Sequence, residues 1–221
     1  MTVPVITIDG PSASGKGTVA ARVAEQLGFN YLDSGSLYRL VALCAEQSGI
    51  GWDDETALAR MSLTLPAQFV NGRVLLSGND VTDDLRLEQI GVGASRVGAL
   101  PGVRSALLQR QRDFRQAPGL VTDGRDMGSV VFVDADLKVF LTASADERAQ
   151  RRYKQLIDKG ECANFPRIRQ DIIDRDQRDA ARPVAPLRQE TDAMLLDTTF
   201  LSIEQAVEQV LGWFSQTAAK L

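Results

Sequence analysis

The stretch Val5-Ile6-Thr7-Ile8-Asp9-Gly10-Pro11-Ser12-Ala13-Ser14-Gly15-Lys16-Gly17-Thr18 leaves the chain few folds to choose from. A β-branched run ends at Asp9, a glycine-bracketed loop follows, and then a helical pattern begins. Gly10, Gly15 and Lys16 have the Gly-x-x-x-x-Gly-Lys spacing of a phosphate-binding loop. Glycines let the backbone bend and bring its N–H groups close to phosphate oxygens. The following helix adds unpaired N–H groups and the positive end of its dipole. Lys16 adds a mobile point charge for the outer phosphates. Gly17 stands where the common motif has Ser or Thr, and Thr18 comes one place later. Direct ligation of magnesium by a hydroxyl at that position is therefore in question. A Gly/Ser-rich turn would explain the glycines but not strand, loop, Lys and helix in the required order.

The chain has 221 residues, enough for one domain or a domain with insertions. A net charge of −4 gives no overall basic surface for nucleic acid or membrane. Of the 25 basic residues only five are Lys. Arg suits phosphate and carboxylate through its rigid fork, although an Arg-biased genome would give the same count. There is no His, which excludes His-dependent triads and His-containing zinc sites. Cys44 and Cys162 are isolated, so no disulfide framework or Cys metal cluster is indicated. No stretch is apolar enough to span a bilayer, and no signal peptide precedes the first strand. The expected location is the cytoplasm.

Val19, Ala20, Val23, Ala24 and Leu27 recur at helical spacing, and Gly28 is a natural helix end. Phe29 to Leu32 reads as a short strand. After Asp33-Ser34-Gly35, a second helix is expected with Leu37, Leu40, Val41, Cys44 and Ala45 on one face. Ser34 then lies at a helix start with Arg39 near the same end, a pairing suited to a second anion. A serine there is more often a cap than a ligand. Residues 58–95 change character. Ala67–Val70 and Val74–Ser77 flank Asn71-Gly72, a strong hairpin signal. Asp80 to Asp84 reads as an acidic turn before a short helix. The segment is expected to be an inserted subdomain.

Pro101 to Gln116 reads as a helix with Leu107, Leu108, Gln111 and Phe114 buried and most of its arginines solvated. Arg104 is best placed to face a site only if its turn lies over the sheet. Leu120-Val121-Thr122 is a buried strand running into Asp123-Gly124-Arg125-Asp126. A carboxylate at a strand end beside a phosphate loop commonly organises magnesium, and ligands of α/β sheets bind at strand C-terminal ends. An Asp-Gly turn with surface charges is the plainer account. Lys138–Thr142 is another strand. From Ser144 a charged helix carries Arg148, Arg151 and Arg152, and a loop at Gly160 and Phe165-Pro166 breaks it. A second charged helix carries Arg167, Arg169, Arg175, Arg178 and Arg182, ending at Pro183 and Pro186. Two Arg-rich helices around a glycine suit a mobile lid; a solvated helical hairpin with internal ion pairs fits the same pattern. Ala193–Leu196 reads as the last strand, and Ser202-Ile203-Glu204-Gln205 as a capping box opening a final helix.

Together these motifs resemble the nucleoside monophosphate kinases, and among them the bacterial-type cytidylate kinase family. The resemblance rests on Ile8 to Thr18, Leu32-Asp33-Ser34-Gly35 with Tyr38-Arg39, Asp123-Gly124-Arg125-Asp126-Met127-Gly128, and Arg175-Asp176, Arg178-Asp179, Arg182 and Ala185-Pro186-Leu187. They occur in family order over nearly the whole chain. It implies an α/β P-loop kinase core, a parallel sheet flanked by helices, in a single domain over residues 1–221. An inserted monophosphate-binding subdomain would span 58–95 and a helical lid 148–165. It implies transfer of phosphate from ATP, with Mg2+, to CMP and dCMP, by a monomer that binds neither nucleic acid nor membrane.

The implied roles follow the matching positions. Gly10, Pro11, Ser12, Ala13, Ser14, Gly15, Lys16, Gly17 and Thr18 hold the ATP phosphates. Ser34, Arg39, Arg125 and Arg182 surround the acceptor phosphate. Ser95, Arg104 and Asp126 read cytosine, and Arg175 and Asp179 hold the sugar. Asp123 supports magnesium, and Arg148, Arg151 and Arg152 are lid arginines that bind ATP. Lys16, Asp123, Arg125 and Arg182 are the candidate catalytic set. The chemistry agrees: phosphoryl transfer needs alignment, charge compensation and exclusion of water, with no His base. The phosphate loop alone also permits an adenylate, shikimate or dephospho-coenzyme A kinase, or a nucleotide-binding switch without transfer.

Overall fold

The β-branched run at the front forms β1 (Val5–Asp9), buried along its whole length. A strand buried on both faces belongs in the middle of a covered parallel sheet, and β1 takes that place. In the computed structural model, which describes residues 3–70, 72–182 and 184–218, the chain forms two units: Met1–Leu32 with Phe114–Leu221, and Asp33–Asp113.

The first unit is built on a five-stranded sheet. Its other strands are β2 (Asn30–Asp33), β6 (Leu120–Gly124), β7 (Leu137–Thr142) and β8 (Met194–Asp197), in the order β2-β6-β1-β7-β8. β1 runs parallel to β6 and β7, and β7 to β8. Asp9 is in register with Gly124, so the phosphate loop and the Asp123–Asp126 stretch leave the sheet at one edge. This edge is where doubly wound sheets bind ligands. Helix α1 (Lys16–Leu27) buries Val19, Ala20, Val23 and Ala24 and ends at Gly28, whose φ of +66° closes it as the sequence predicts. Its stripe joins Ile6, Ile8, Val121, Val139 and Leu141 of the sheet, together with Val207 and Val210 of α8 (Ile203–Ala218). The predicted capping box opens α8: Ser202 N donates to Gln205 Oε1 at 2.9 Å and Gln205 N donates to Ser202 Oγ at 3.2 Å. α6 (Ala145–Asp158) and α7 (Phe165–Ala180) follow β7 as a packed pair.

The second unit holds α2 (Ser34–Gln47), α3 (Glu55–Leu63), α4 (Glu88–Val97) and α5 (Pro101–Arg112), with α2 packed on α4 and α3 on α5. The expected face of α2 is inside: Leu37, Leu40, Val41 and Ala45 are buried and Cys44 is half-buried. β3 (Ala67–Val70) and β4 (Arg73–Leu76) pair with Val70 opposite Arg73, the register a two-residue turn requires. Asn71 of that turn and Pro183 after α7 lie outside the described residues. The segment 58–95 runs from α3 into α4 inside this unit.

Some local expectations are corrected. A third strand, β5 (Asn79–Asp80), pairs with β4 and takes Asp80 from the expected acidic turn, which follows at 82–83 and leads into a short helix. Ser77 and Gly78, both at positive φ, fold the chain back there. The helix from Pro101 stops at Arg112, short of Gln116. Asn30 Nδ2 takes the carbonyls of Gln116 and Ala117, and a residue before proline disfavours helix. The buried stripe of α5 is Val103, Arg104, Leu107 and Gln111, without Leu108 or Phe114. Its arginines are not mainly solvated. Arg110 donates to the carbonyls of Leu65 and Ala67, and Arg115, beyond the helix, to Val3 O and Asp134. α7 ends at Ala180, so Arg182 sits just past the helix rather than in it.

Candidate active site

The phosphate loop is set by two left-handed residues, Ala13 (φ +57°) and Gly15 (φ +90°). Gly10 is required for space: a Cβ there would lie 2.0 Å from Leu141 O. The N-terminus of α1 has no side-chain cap from Gly15 and no acidic residue in its first turn. Its N–H groups and dipole are thus left to an anion. The hydroxyls of Ser12 and Ser14 are buried without a hydrogen-bond partner among the described residues. Buried polar atoms are nearly always paired with protein, water or a ligand, and these two sit in the phosphate loop itself. Lys16 is buried beside them, its Nζ donating to Pro11 O at 3.2 Å.

Asp123, at the end of β6, faces the loop at Gly17. A Cβ on Gly17 would stand 3.8 Å from each Asp123 carboxylate oxygen and 3.5 Å from the Tyr31 hydroxyl. Tyr31 donates to Asp123 Oδ1 at 2.8 Å. The carboxylate thus occupies the neighbourhood in which the common motif places a Ser or Thr hydroxyl. Among the described residues no group of three or more His, Cys, Asp or Glu could hold a metal ion. One carboxylate beside a phosphate cradle nevertheless suits Mg2+, which keeps waters and takes phosphate oxygens.

The sequence leaves Asp9 without a role. Its carboxylate accepts from Met127 N at 2.9 Å and Gly128 N at 2.8 Å. It thereby fixes the π-helical turn Met127–Val131 that follows Asp126. Burial pushes the Asp9 carboxyl up to about 6, against the lowering by those two N–H bonds. A folded value above the unfolded one means the native state holds the extra proton between pH 4 and 6. Stability attributable to Asp9 therefore falls as pH rises through that window, by about 3 kcal/mol in all. Urea unfolding of wild type and Asp9→Asn should show it. Groups common to both cancel, and the wild type should lose ground to the variant from pH 4 to 6.5. A difference that stays flat with pH would contradict the raised carboxyl.

Asp179, 1 % exposed on α7, gathers the arginines. Arg125 Nε donates to its Oδ2 at 2.8 Å, and Arg182 donates to Oδ1. Arg175 lies one turn earlier and adds its charge. Burial alone would raise the Asp179 carboxyl, but Arg125, Arg182 and Arg175 outweigh it and hold it below the ordinary range. Because Arg125 follows β6 directly, this cluster begins beside the phosphate loop. Asp126 is buried next to it.

The lid arginines divide. Arg148 donates to Ser12 O and Arg151 to Ser14 O, so both reach the loop's carbonyls from α6. Arg152 is half-buried, and among the described residues it makes no such bond to the loop. Between the helices, Gly160 has φ +76°, Tyr153 meets Phe165 edge to face at 6.2 Å, and Arg169 pairs with Asp146.

In the second unit, Ser34 is buried at the start of α2. Arg39 donates to Leu85 O at 2.7 Å. Ser95 sits in the last turn of α4. Arg104 reaches the same end through Gly98 O at 3.1 Å, its guanidinium 5.9 Å from the Tyr38 ring centre. Ser95 and Arg104 thus both lie at the C-terminal end of α4, 8 % exposed each.

The family model described as cytidylate kinase matches residues 6–216. Among curated relatives, the cytidylate kinase of Chromobacterium violaceum is 73% identical over 219 residues, covering 99% of each chain. The cytidylate kinase of Neisseria meningitidis serogroup C is 57% identical over 212 residues, covering 96% of this chain and 97% of the relative. Among solved structures, a gluconokinase from Sinorhizobium meliloti superposes with a TM-score of 0.51 at 16% identity, covering 98% of this chain and 94% of that one. At that identity the likeness is one of fold.

Proposed function

The chain belongs to the cytidylate kinase family, and from that premise we propose which of its residues move phosphate from ATP to CMP and dCMP. The observation that carries the proposal is the arginine pair on Asp179 beside a phosphate loop with unpartnered hydroxyls: two anion sites at one sheet edge. Residues 10–18 cradle the ATP phosphates, with Lys16 compensating the charge that builds on them. Arg125 and Arg182 take the acceptor phosphate with Ser34 and Arg39. Arg175 and Asp179 take the sugar. Ser95, Arg104 and Asp126 read the base. Arg148, Arg151 and Arg152 belong to a lid over 148–165. Asp123, oriented by Tyr31, would hold magnesium, which when bound neutralises phosphate charge. No residue need act as a strong base, since the acceptor oxygen is already anionic.

Among the described residues no helix is long and apolar enough to cross a membrane. The enzyme acts as a cytoplasmic monomer, without nucleic acid or membrane.

The base assignment is tested on Asp126. Cytosine offers an N4 amino donor with N3 and O2 acceptors, so a carboxylate facing N4 and donors from Arg104 and Ser95 fit it. Uracil places an acceptor at position 4 and a proton on N3. Each mismatch leaves an unpaired buried group worth about 1–3 kcal/mol. Asp126→Asn can turn its amide to donate to O4. The expected result is a lower kcat/KM for CMP and a CMP-to-UMP ratio narrowed by about tenfold or more. Equal losses on both substrates, measured on one preparation, would assign Asp126 to holding an arginine instead.

A further inference from the structure

The N–H groups of a phosphate loop must point at the ligand, and something must hold them there before it arrives. Here the holding groups lie behind the loop. Arg148 and Arg151 stand one turn apart on α6. Arg148 donates through Nε to Ala143 O at 2.9 Å and through NH1 to Ser12 O at 3.1 Å, and its NH2 pairs with Asp176 Oδ2 at 2.7 Å. Arg151 donates to Ser14 O at 2.9 Å, to Thr198 Oγ1 at 3.1 Å and to Thr198 O at 2.6 Å, with Glu147 holding its Nε at 2.9 Å. The two captured carbonyls alternate along the loop, and each is followed by a left-handed residue, Ala13 or Gly15.

A trans peptide is planar, with C=O and N–H on opposite sides. Fixing Ser12 O toward Arg148 therefore turns the N–H of Ala13 the other way. Fixing Ser14 O toward Arg151 does the same for Gly15. Ala13 holds a conformation an alanine rarely adopts alone. The charged donor on the preceding carbonyl supplies a reason for it to persist.

We infer that Arg148 and Arg151 are positioning residues: they set the direction of the loop's N–H groups and do not themselves grip ATP. The inference rests on the reading of residues 10–18 as the ATP-phosphate cradle. It accounts for two arginines of the lid segment whose charges face protein carbonyls. It also makes the fork essential. A lysine can reach Ser14 O or Thr198 O, but one ammonium does not reproduce the planar geometry that spans both.

The test uses the full chain with Arg151→Met and Arg151→Lys, and Arg148→Met as a companion. Arg151 is half-buried, so its variants carry the test if Arg148→Met fails to fold. Amide exchange over residues 12–16 is measured without nucleotide, and KM for ATP and for CMP with it. In Arg151→Met, exchange should quicken and the ATP KM should rise, each by about tenfold, the change expected for loss of a charge-assisted hydrogen bond. The CMP KM should hold within about twofold, and Arg151→Lys should lie nearer Met than wild type. Three results would overturn the inference: a raised ATP KM with unchanged loop exchange, which marks a direct phosphate ligand; faster exchange with an unchanged ATP KM; or equal rises in both KM values. If wild type itself shows no ATP turnover, the reading of the loop fails, and that outcome is distinct from all three.

Discussion

Lys16→Met yields a folded protein that has lost phosphoryl transfer by about three orders of magnitude or more. Lys16 is buried against the loop, with Nζ on Pro11 O. Methionine fills similar space without a charge. Losing one donor to a backbone carbonyl costs stability of roughly 1–2 kcal/mol, too little to unfold a domain of this size. Charge compensation at the transferred group contributes several kcal/mol to the transition state, and every 1.4 kcal/mol is a factor of ten. The loss should therefore appear in kcat, with KM for CMP nearly unchanged and the melting transition close to wild type. Near-normal turnover from an intact fold would remove Lys16 from the mechanism.

Asp179→Ala should damage both stability and the acceptor side. The carboxylate is the shared acceptor of Arg125 and Arg182 in a buried setting. Removing one member of a buried ion cluster leaves uncompensated charge and costs roughly 3–5 kcal/mol. With their common anchor gone, Arg125 and Arg182 lose the geometry proposed for the acceptor phosphate. The expected outcome is a fall of about a hundredfold or more in kcat/KM for CMP with little change in the ATP KM. Its pH behaviour gives a second reading. Because the folded carboxyl is held below the ordinary range, its stabilisation is present above that range and is lost as pH falls through the folded value. The stability gap between wild type and variant should close in acid. An effect confined to the ATP KM would contradict the assignment.

What the sequence made legible was local. The phosphate loop, the capping box of Ser202 and Gln205 and the helix end at Gly28 each depend on neighbours within about one turn, so spacing reveals them. What it concealed was set by distant partners. Asp9 reads as the last residue of a strand, and its task is evident only when Met127 and Gly128, more than a hundred residues on, donate to it. Arg148 reads as one charge on an amphipathic helix, yet Ser12 O and Asp176 claim its two terminal nitrogens. The helix from Pro101 looks longer than it is because the carbonyls beyond Arg112 are bound by Asn30. β5 has two residues, too short for any alternation to register. Gly17 was visible as a departure, but its cause lay across the fold, where Asp123 and Tyr31 stand opposite it.

Coupled release of ADP from ATP identifies the acceptor. The purified chain is offered CMP, dCMP, UMP, AMP, shikimate and dephospho-coenzyme A in turn, at equal concentration. CMP and dCMP should turn over fastest. UMP should follow by at least about tenfold, as expected for unpaired polar groups at its base edge, and the remaining acceptors should give no release above background. Faster turnover of AMP, shikimate or dephospho-coenzyme A than of CMP would contradict CMP as the acceptor, as would ATP binding without transfer to any of the six.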